Sequence, residues 1–190
     1  MQVIRLADCP PVPWQNGVGA TRELWRKDDA NGLLIRISVA EITGNQPFSR
    51  FPGIDRTILQ LDGPEMILTM DGKDHRIATP FAFPGEAHVT CRLSAPGTAH
   101  DLNLMVRRDT CRGRMTLLSL AEGERVALDT TAGIAAFLAL TPVILSAATT
   151  LTLAPSDLLL SCEPAVLVSQ TKGRGILLIT DHRGLPGTDP

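Results

Sequence analysis

Pro47-Phe48-Ser49-Arg50-Phe51-Pro52-Gly53-Ile54-Asp55-Arg56 brings two arginines and an aspartate together with two phenylalanines in ten residues. Guanidinium groups suit the planar recognition of carboxylates, and aromatic faces beside them favour a small, shaped pocket over a plain solvent turn. The two prolines each fix φ and remove a backbone donor, so the first half cannot join a regular ladder. Gly53 then permits a sharp turn, and Ile54 to Leu61 reads as a strand entered directly from it. The residues alone leave a pocket mouth and a structural corner about equally open.

Three further segments carry unusual polar residues. Pro13-Trp14-Gln15-Asn16-Gly17-Val18-Gly19-Ala20-Thr21-Arg22-Glu23-Leu24 reads as a loop anchored by Trp14. It lacks the GK[ST] of a phosphate loop. In Leu34 to Glu41, alternation puts Arg36, Ser38 and Ala40 on one face and Ile35, Ile37 and Val39 on the other. In Asp101 to Arg107 the faces are Asp101, Asn103, Met105 and Arg107 against Leu102, Leu104 and Val106. Such polar faces point to water in a half-exposed sheet or line the cavity of a barrel, and periodicity does not choose.

The elements that must position these groups are strands. Short β-branched or alternating runs recur at Leu33–Ile42, Thr57–Leu61, Glu65–Met70, His75–Ala78, His88–Leu93 and Asp101–Arg107. Asp71-Gly72 is the strongest hairpin signal among the turns between them. The second half continues with aliphatic strand candidates from Met115 to Thr180 that carry few charges, and it reads as scaffold. Ala132–Leu140 is weakened as a helix by Gly133 and by Thr141-Pro142. Many short strands at regular spacing predict an all-β fold. The seam is expected near Asp109–Gly113, dividing the chain into 1–110, with the chemistry, and 111–190.

Composition removes several function classes. Apolar residues make up 44% of the 190, enough for a sizeable core, while aromatics are only 4% and tyrosine is absent, so that core is aliphatic. The formal charge of −2 and scattered arginines argue against nucleic acid. No apolar run reaches membrane-span length, and the first residues lack a signal peptide's apolar stretch, so a cytoplasmic protein is expected. Cys9, Cys91, Cys111 and Cys162 are widely spaced without a CxxC pair and read as reduced, buried thiols. His75, His88, His100 and His182 are isolated, with no HxH or HxxxE cluster, so neither metal nor other cofactor is expected. No GxSxG elbow supports a nucleophile.

In combination the motifs resemble the HutD/Ves family of cupin-like proteins. The matching residues are Pro13-Trp14-Gln15-Asn16-Gly17 with Thr21-Arg22-Glu23, Arg36 to Glu41, Pro47 to Arg56, Phe81-Ala82-Phe83-Pro84-Gly85 and Asp101 to Arg108. They occur in the family's order over roughly the first 110 residues. One departure is Val18, standing where the family commonly has a glycine. The resemblance implies a bicupin, two fused β-barrel or jelly-roll-like halves, usually dimeric. It also implies a non-enzymatic role in histidine utilisation, binding an intermediate such as formylglutamate or urocanate and limiting pathway activity. Ves-like members are linked instead to stress response. A metal-independent cupin-type isomerase or hydrolase using Asp55 or Asp101 is the alternative, and an interaction protein with a vestigial pocket is a third.

With the resemblance added, the expected ligand is a small anionic carboxylate gripped by Arg36 and Arg56. Asn16, Ser38, Ser49 and Asn103 supply neutral hydrogen bonds, Trp14, Phe51 and Phe83 form apolar walls, and Met105 shares the same strand face. Asp55 and Asp101 are expected to orient the arginines, because an unpaired buried arginine is costly.

Overall fold

The computed structural model describes residues 1–14, 17–130 and 133–182. Among these the chain is built from strands, with a single 3-10 turn at Leu6–Asp8. The first eleven strands are β1 (Gln2–Ile4), β2 (Pro11–Pro13), β3 (Gly19–Asp29), β4 (Gly32–Ile42), β5 (Gln46–Pro47), β6 (Ile54–Asp62), β7 (Met66–Met70), β8 (Lys73–Arg76), β9 (Phe81–Pro84), β10 (Val89–Leu93) and β11 (Ala99–Arg107). After Asp109 come β12 (Cys111–Leu120), β13 (Arg125–Leu128), β14 (Gly133–Ala139), β15 (Val143–Ser146), β16 (Thr150–Leu153), β17 (Leu158–Ser161), β18 (Ala165–Ser169) and β19 (Gly173–His182). Gly133–Ala139 is thus a strand, as its flanking glycine and proline suggest.

Two compact units result. One is Cys9–Asp109; the other is Thr110–Pro190 together with Met1–Asp8. The first eight residues therefore belong with the second half, not with the 1–110 segment to which sequence order assigns them. The reason is β1, whose Gln2, Val3 and Ile4 pair antiparallel with Leu160, Leu159 and Leu158 of β17.

In the Cys9–Asp109 unit, a six-stranded sheet of order β2-β3-β4-β11-β6-β9 faces a four-stranded sheet of order β5-β10-β7-β8. Each is an open ladder, so no strand pairing among the described residues closes either into a barrel. Ile42, Ile58, Phe83 and Ala99 from the larger sheet pack with Phe48, Met66, Leu68, Val89 and Cys91 beside or within the smaller one. Prolines sit at the edges, in β2 and β9, where a missing N–H breaks no ladder. The Asp71-Gly72 hairpin forms with both residues at positive φ (51° and 72°), the two-residue turn that matches strand twist.

β3 is the main departure from the expected elements. Its first residues, Gly19–Leu24, were read as part of a loop, yet Gly19–Asp29 is an eleven-residue strand on β4. Register shifts between Glu23 and Trp25 and between Lys27 and Asp28 interrupt its period-2 pattern, which hides it in the sequence.

The other unit repeats the plan with a five-stranded sheet, β1-β17-β14-β19-β12, and a four-stranded one, β13-β18-β15-β16. Its core is aliphatic apart from Phe137: Val126, Leu128, Leu145, Leu153, Leu159 and Leu167 are all buried. Cys9, Cys91 and Cys111 are buried as expected, whereas Cys162 is exposed. Among the described residues no helix is long and apolar enough to cross a membrane.

Candidate functional site

The centre of the six-stranded sheet decides what its polar face does. Ile35, Ile37, Val39, Leu102, Leu104 and Val106 are buried on one side, and Ser38, Arg56, Asp101, Asn103 and Met105 are buried on the other. A sheet buried on both faces has no water-facing side, so the polar set turns inward. Register lays it out as a grid. Arg36, Met105 and Arg56 form one row across β4, β11 and β6. Glu23, Ser38, Asn103 and Ile58 form the next, and Thr21, Ala40, Asp101 and Gln60 the third.

This grid floors a cavity of ≈ 860 Å³, a volume suited to a small molecule. Trp14, Arg36, Ser38, Ser49, Phe51, Arg56, Asp101, Asn103 and Met105 line it, all expected from the sequence. Trp14 is held at the rim by its indole N–H, which donates to Thr21 Oγ1 at 2.7 Å. Asn16 lies outside the described residues.

Arg56 is the unusual member. It is only 5% exposed, and its Cζ lies 5.2 Å from the Phe48 ring, 5.6 Å from Phe51 and 5.1 Å from Phe83. Its Nη1 donates to the Ser49 carbonyl at 3.3 Å, and its Nε has no hydrogen-bond partner. Burial lowers its pKa to about 10, with Asp101 opposing and Arg36 assisting, so the group stays charged at neutral pH. Three aromatic faces return part of the lost hydration through cation–π attraction. They bring no negative charge.

Arg36 is less isolated. Its Nε lies 2.9 Å from Glu23 Oε2, an ion-pair distance at an angle outside hydrogen-bond geometry. Asp101 is 1% exposed, and neither carboxyl oxygen has a hydrogen-bond partner of good geometry. Burial pushes its pKa up to about 7, against the pull of Arg56, then His100, and a weak one from the Ala40 N–H. Asn103 Oδ1 is also buried and unpartnered. Asp101 and Asn103 line the cavity, so these orphaned atoms are open to a partner from within it, water included.

Two expected site residues sit elsewhere. Asp55 does not orient Arg36 or Arg56; it accepts from Arg108 Nε at 2.6 Å, while Arg108 also grips Glu86 at 2.6 and 2.8 Å. The neighbouring sequence position was misleading because side chains of adjacent strand residues point to opposite faces. Phe83 is buried behind Arg56 and supports it without lining the cavity. Arg107, on the polar face of β11, is engaged by Asp29 at 2.7 and 2.8 Å and by two backbone carbonyls.

Phe48 and Glu23 are pocket residues that sequence reasoning did not select. Phe48 lies within the aromatic–arginine stretch and was as visible as Phe51. Glu23 was hidden with strand β3.

The turn carrying Arg56 is clamped. Gly53 takes φ 77°, Phe51 N–H donates to Gly85 O at 2.8 Å, and Gly85 N–H donates to Ile54 O at 2.6 Å. A Cβ on Gly85 would fall 2.6 Å from Phe51 O and 2.7 Å from Ile54 O, so glycine is required by close approach. A second cavity of ≈ 430 Å³ on the β7–β8 hairpin contains Arg76 and Arg92, both already paired with Glu65 and Asp74. Among the described residues no three His, Cys, Asp or Glu side chains converge as a metal set.

The family model for HutD matches residues 6–179. The chain belongs to the HutD family. It is 38% identical over 120 residues to a Pseudomonas putida protein described as an uncharacterized 21.2 kDa protein in the hutC 3'region, covering 60% of this chain and 63% of the relative. Protein Ves of Citrobacter koseri is 37% identical over 122 residues, covering 60% and 62%. The matched stretch thus spans less than two thirds of either relative. The solved structure of HutD from Pseudomonas fluorescens SBW25 superposes with a TM-score of 0.81 at 27% identity, covering 96% of this chain and 99% of that one. A cupin 2 conserved barrel domain protein from Leptotrichia buccalis shares the fold alone, at TM-score 0.61 and 8% identity over 87% and 89%. The HutD-family chain is therefore all-β and cupin-like.

Proposed function

We propose that this HutD-family chain binds a small anionic carboxylate between Arg36 and Arg56 and acts, without catalysis, as a regulatory protein of histidine utilisation. One observation carries the reading. Arg56 is a buried guanidinium in an aromatic cage, with an orphaned Nε and no carboxylate hydrogen-bonded to it. A desolvated cation of this kind is completed by a planar anion that accepts from its fork. Trp14 and Phe51 supply walls, and Ser38, Ser49 and Asn103 supply neutral hydrogen bonds that orient the guest.

The pathway part of the reading draws on the family. A structure with the name HutD and a relative located in the hutC 3'region support histidine utilisation, which makes formylglutamate and urocanate the first candidates. The likeness to protein Ves leaves a stress-related role as the competing assignment. In the same reading the two units are two cupin-type barrels fused in one chain, working as a cytoplasmic homodimer.

Calorimetric titration of the purified chain with formylglutamate, urocanate and glutamate tests this, with each mixture assayed afterwards for chemical change. Saturable binding without turnover is expected. Arg56→Ala should lose about 2 kcal/mol or more of binding energy, roughly 30-fold in affinity, because the contact is desolvated. Arg112→Ala, on β12, should bind as the parent does. Equal binding by both variants, or silence from all three compounds, would sink the assignment. Turnover would instead favour an enzyme in which Asp101 serves as acid and base; Asp55 is ill placed for that, since Arg108 holds it.

A further inference from the structure

Asp101 is the least explained part of the site, and any role for it rests on carboxylate binding between Arg36 and Arg56. Asp101 sits on the interior face of β11, with Ala40 beside it on β4 and Gln60 on β6. The charged groups around it come from several elements. Arg56 reaches in from β6, and Arg36 from β4 is held by Glu23 of β3. His100, next on β11, is occupied by Asp62 at 2.6 Å and Glu41 at 3.8 Å. From the facing sheet comes Cys91, whose thiol is pushed up to about 12, first by burial and then by the Asp101 charge. At neutral pH that thiol therefore carries no charge.

Arg56 and Asp101 thus line one cavity without a hydrogen bond between them; Arg56 Nε and both Asp101 oxygens are unpartnered. One proton decides the net charge of such a space. With Asp101 ionised, the field of Arg56 is opposed from inside the protein, and an incoming carboxylate meets a like charge. With Asp101 protonated, Arg56 and Arg36 present their charge to the guest.

We propose that Asp101 is a positioning residue that couples anion binding at Arg56 to the uptake of one proton, so that the pocket takes in a carboxylate and a proton together. Asp101 acts through Arg56 and need not touch the ligand. The reciprocal effect follows from linkage: a bound anion makes Asp101 hold its proton more tightly, by the factor through which the proton strengthens anion binding. Because burial already holds the Asp101 pKa at about 7, the coupling operates around neutrality. Below that midpoint Asp101 is already protonated and affinity is level. Above it each binding event must draw a proton from solution, so affinity falls as pH rises.

N-Formylglutamate is a suitable probe, because its carboxylates stay ionised from about pH 6 to about pH 8.5. Titrate the full chain with it across that range, in two buffers of different ionisation enthalpy. The expected result is level affinity at the acid end and a loss approaching about tenfold per pH unit above the midpoint. The buffer difference should report uptake of up to one proton. Asp101→Asn should bind with a flat profile and no proton uptake. Wild-type binding with a flat profile and no buffer dependence overturns the coupling and leaves carboxylate binding intact. Absence of wild-type binding throughout overturns both. If Asp101→Asn does not fold, the carboxyl carbon shift of Asp101 in the wild type serves instead. A titration midpoint that rises on adding N-formylglutamate supports the coupling, and one that stays put overturns it.

Discussion

A guanidinium removed from water must recover its solvation from the protein or from a guest, and Arg56 recovers it from three rings and one carbonyl. Asp101 has a similar deficit of opposite sign. Its pKa is raised from the ordinary 3.8 to about 7, chiefly by burial, so the protonated form is the one that suits the fold. This contribution to stability is fully present below about pH 4 and is lost as pH rises through about 7. Urea midpoints measured across that window should therefore fall for the wild type relative to Asp101→Asn. A difference between the two that stays constant with pH would show that Asp101 titrates normally. The residue types here were legible in the sequence. Their pairing was not: Asp55 is adjacent to Arg56 in the chain yet bonds Arg108.

At the element scale, the site depends on how the strand mouth at Ile54 is held. Gly85 locks the turn by exchanging backbone hydrogen bonds with Phe51 and Ile54, and its missing Cβ is what lets the two chains approach. Gly85→Ala should destabilise the protein by roughly 1–3 kcal/mol, the usual range for inserting an atom into closely packed surroundings. A lowered denaturation midpoint with an unchanged slope is the expected readout; an unchanged midpoint would mean that the turn adapts freely. The alternating strands β4 and β11 were legible because Ile35, Ile37 and Val39 on one, and Leu102, Leu104 and Val106 on the other, form an aliphatic run along one face. β3 was not, since two irregularities in its pairing break the pattern and a glycine-rich segment precedes it.

At the scale of the whole molecule, the chain's first strand is committed to its far half. Gln2–Ile4 pairs with Leu158–Leu160, so one edge of the five-stranded sheet is complete only when residues far apart in sequence have met. Removing residues 1–5 should expose the outer edge of β17. Amide hydrogen exchange of Leu158–Ser161 should then quicken, while that of β4 and β11 should not change. Equal protection of β17 with and without β1 would show that this pairing adds nothing to stability.

Alternation, turn residues and aliphatic content were enough to establish an all-β chain, because strand period and turn chemistry are local properties. Residue type alone singled out the arginine–phenylalanine stretch but left open whether it was a pocket mouth or a structural corner. Whether the polar strand faces met water or a cavity was decided only in three dimensions, since an alternating pattern is the same on a sheet covered on one side or both. Tertiary structure also set which acid meets which arginine. Strand register places Arg36, Arg56, Asn103 and Asp101 on one floor and turns Asp55 toward Arg108. Register is a relation between strands, and no single strand's sequence contains it.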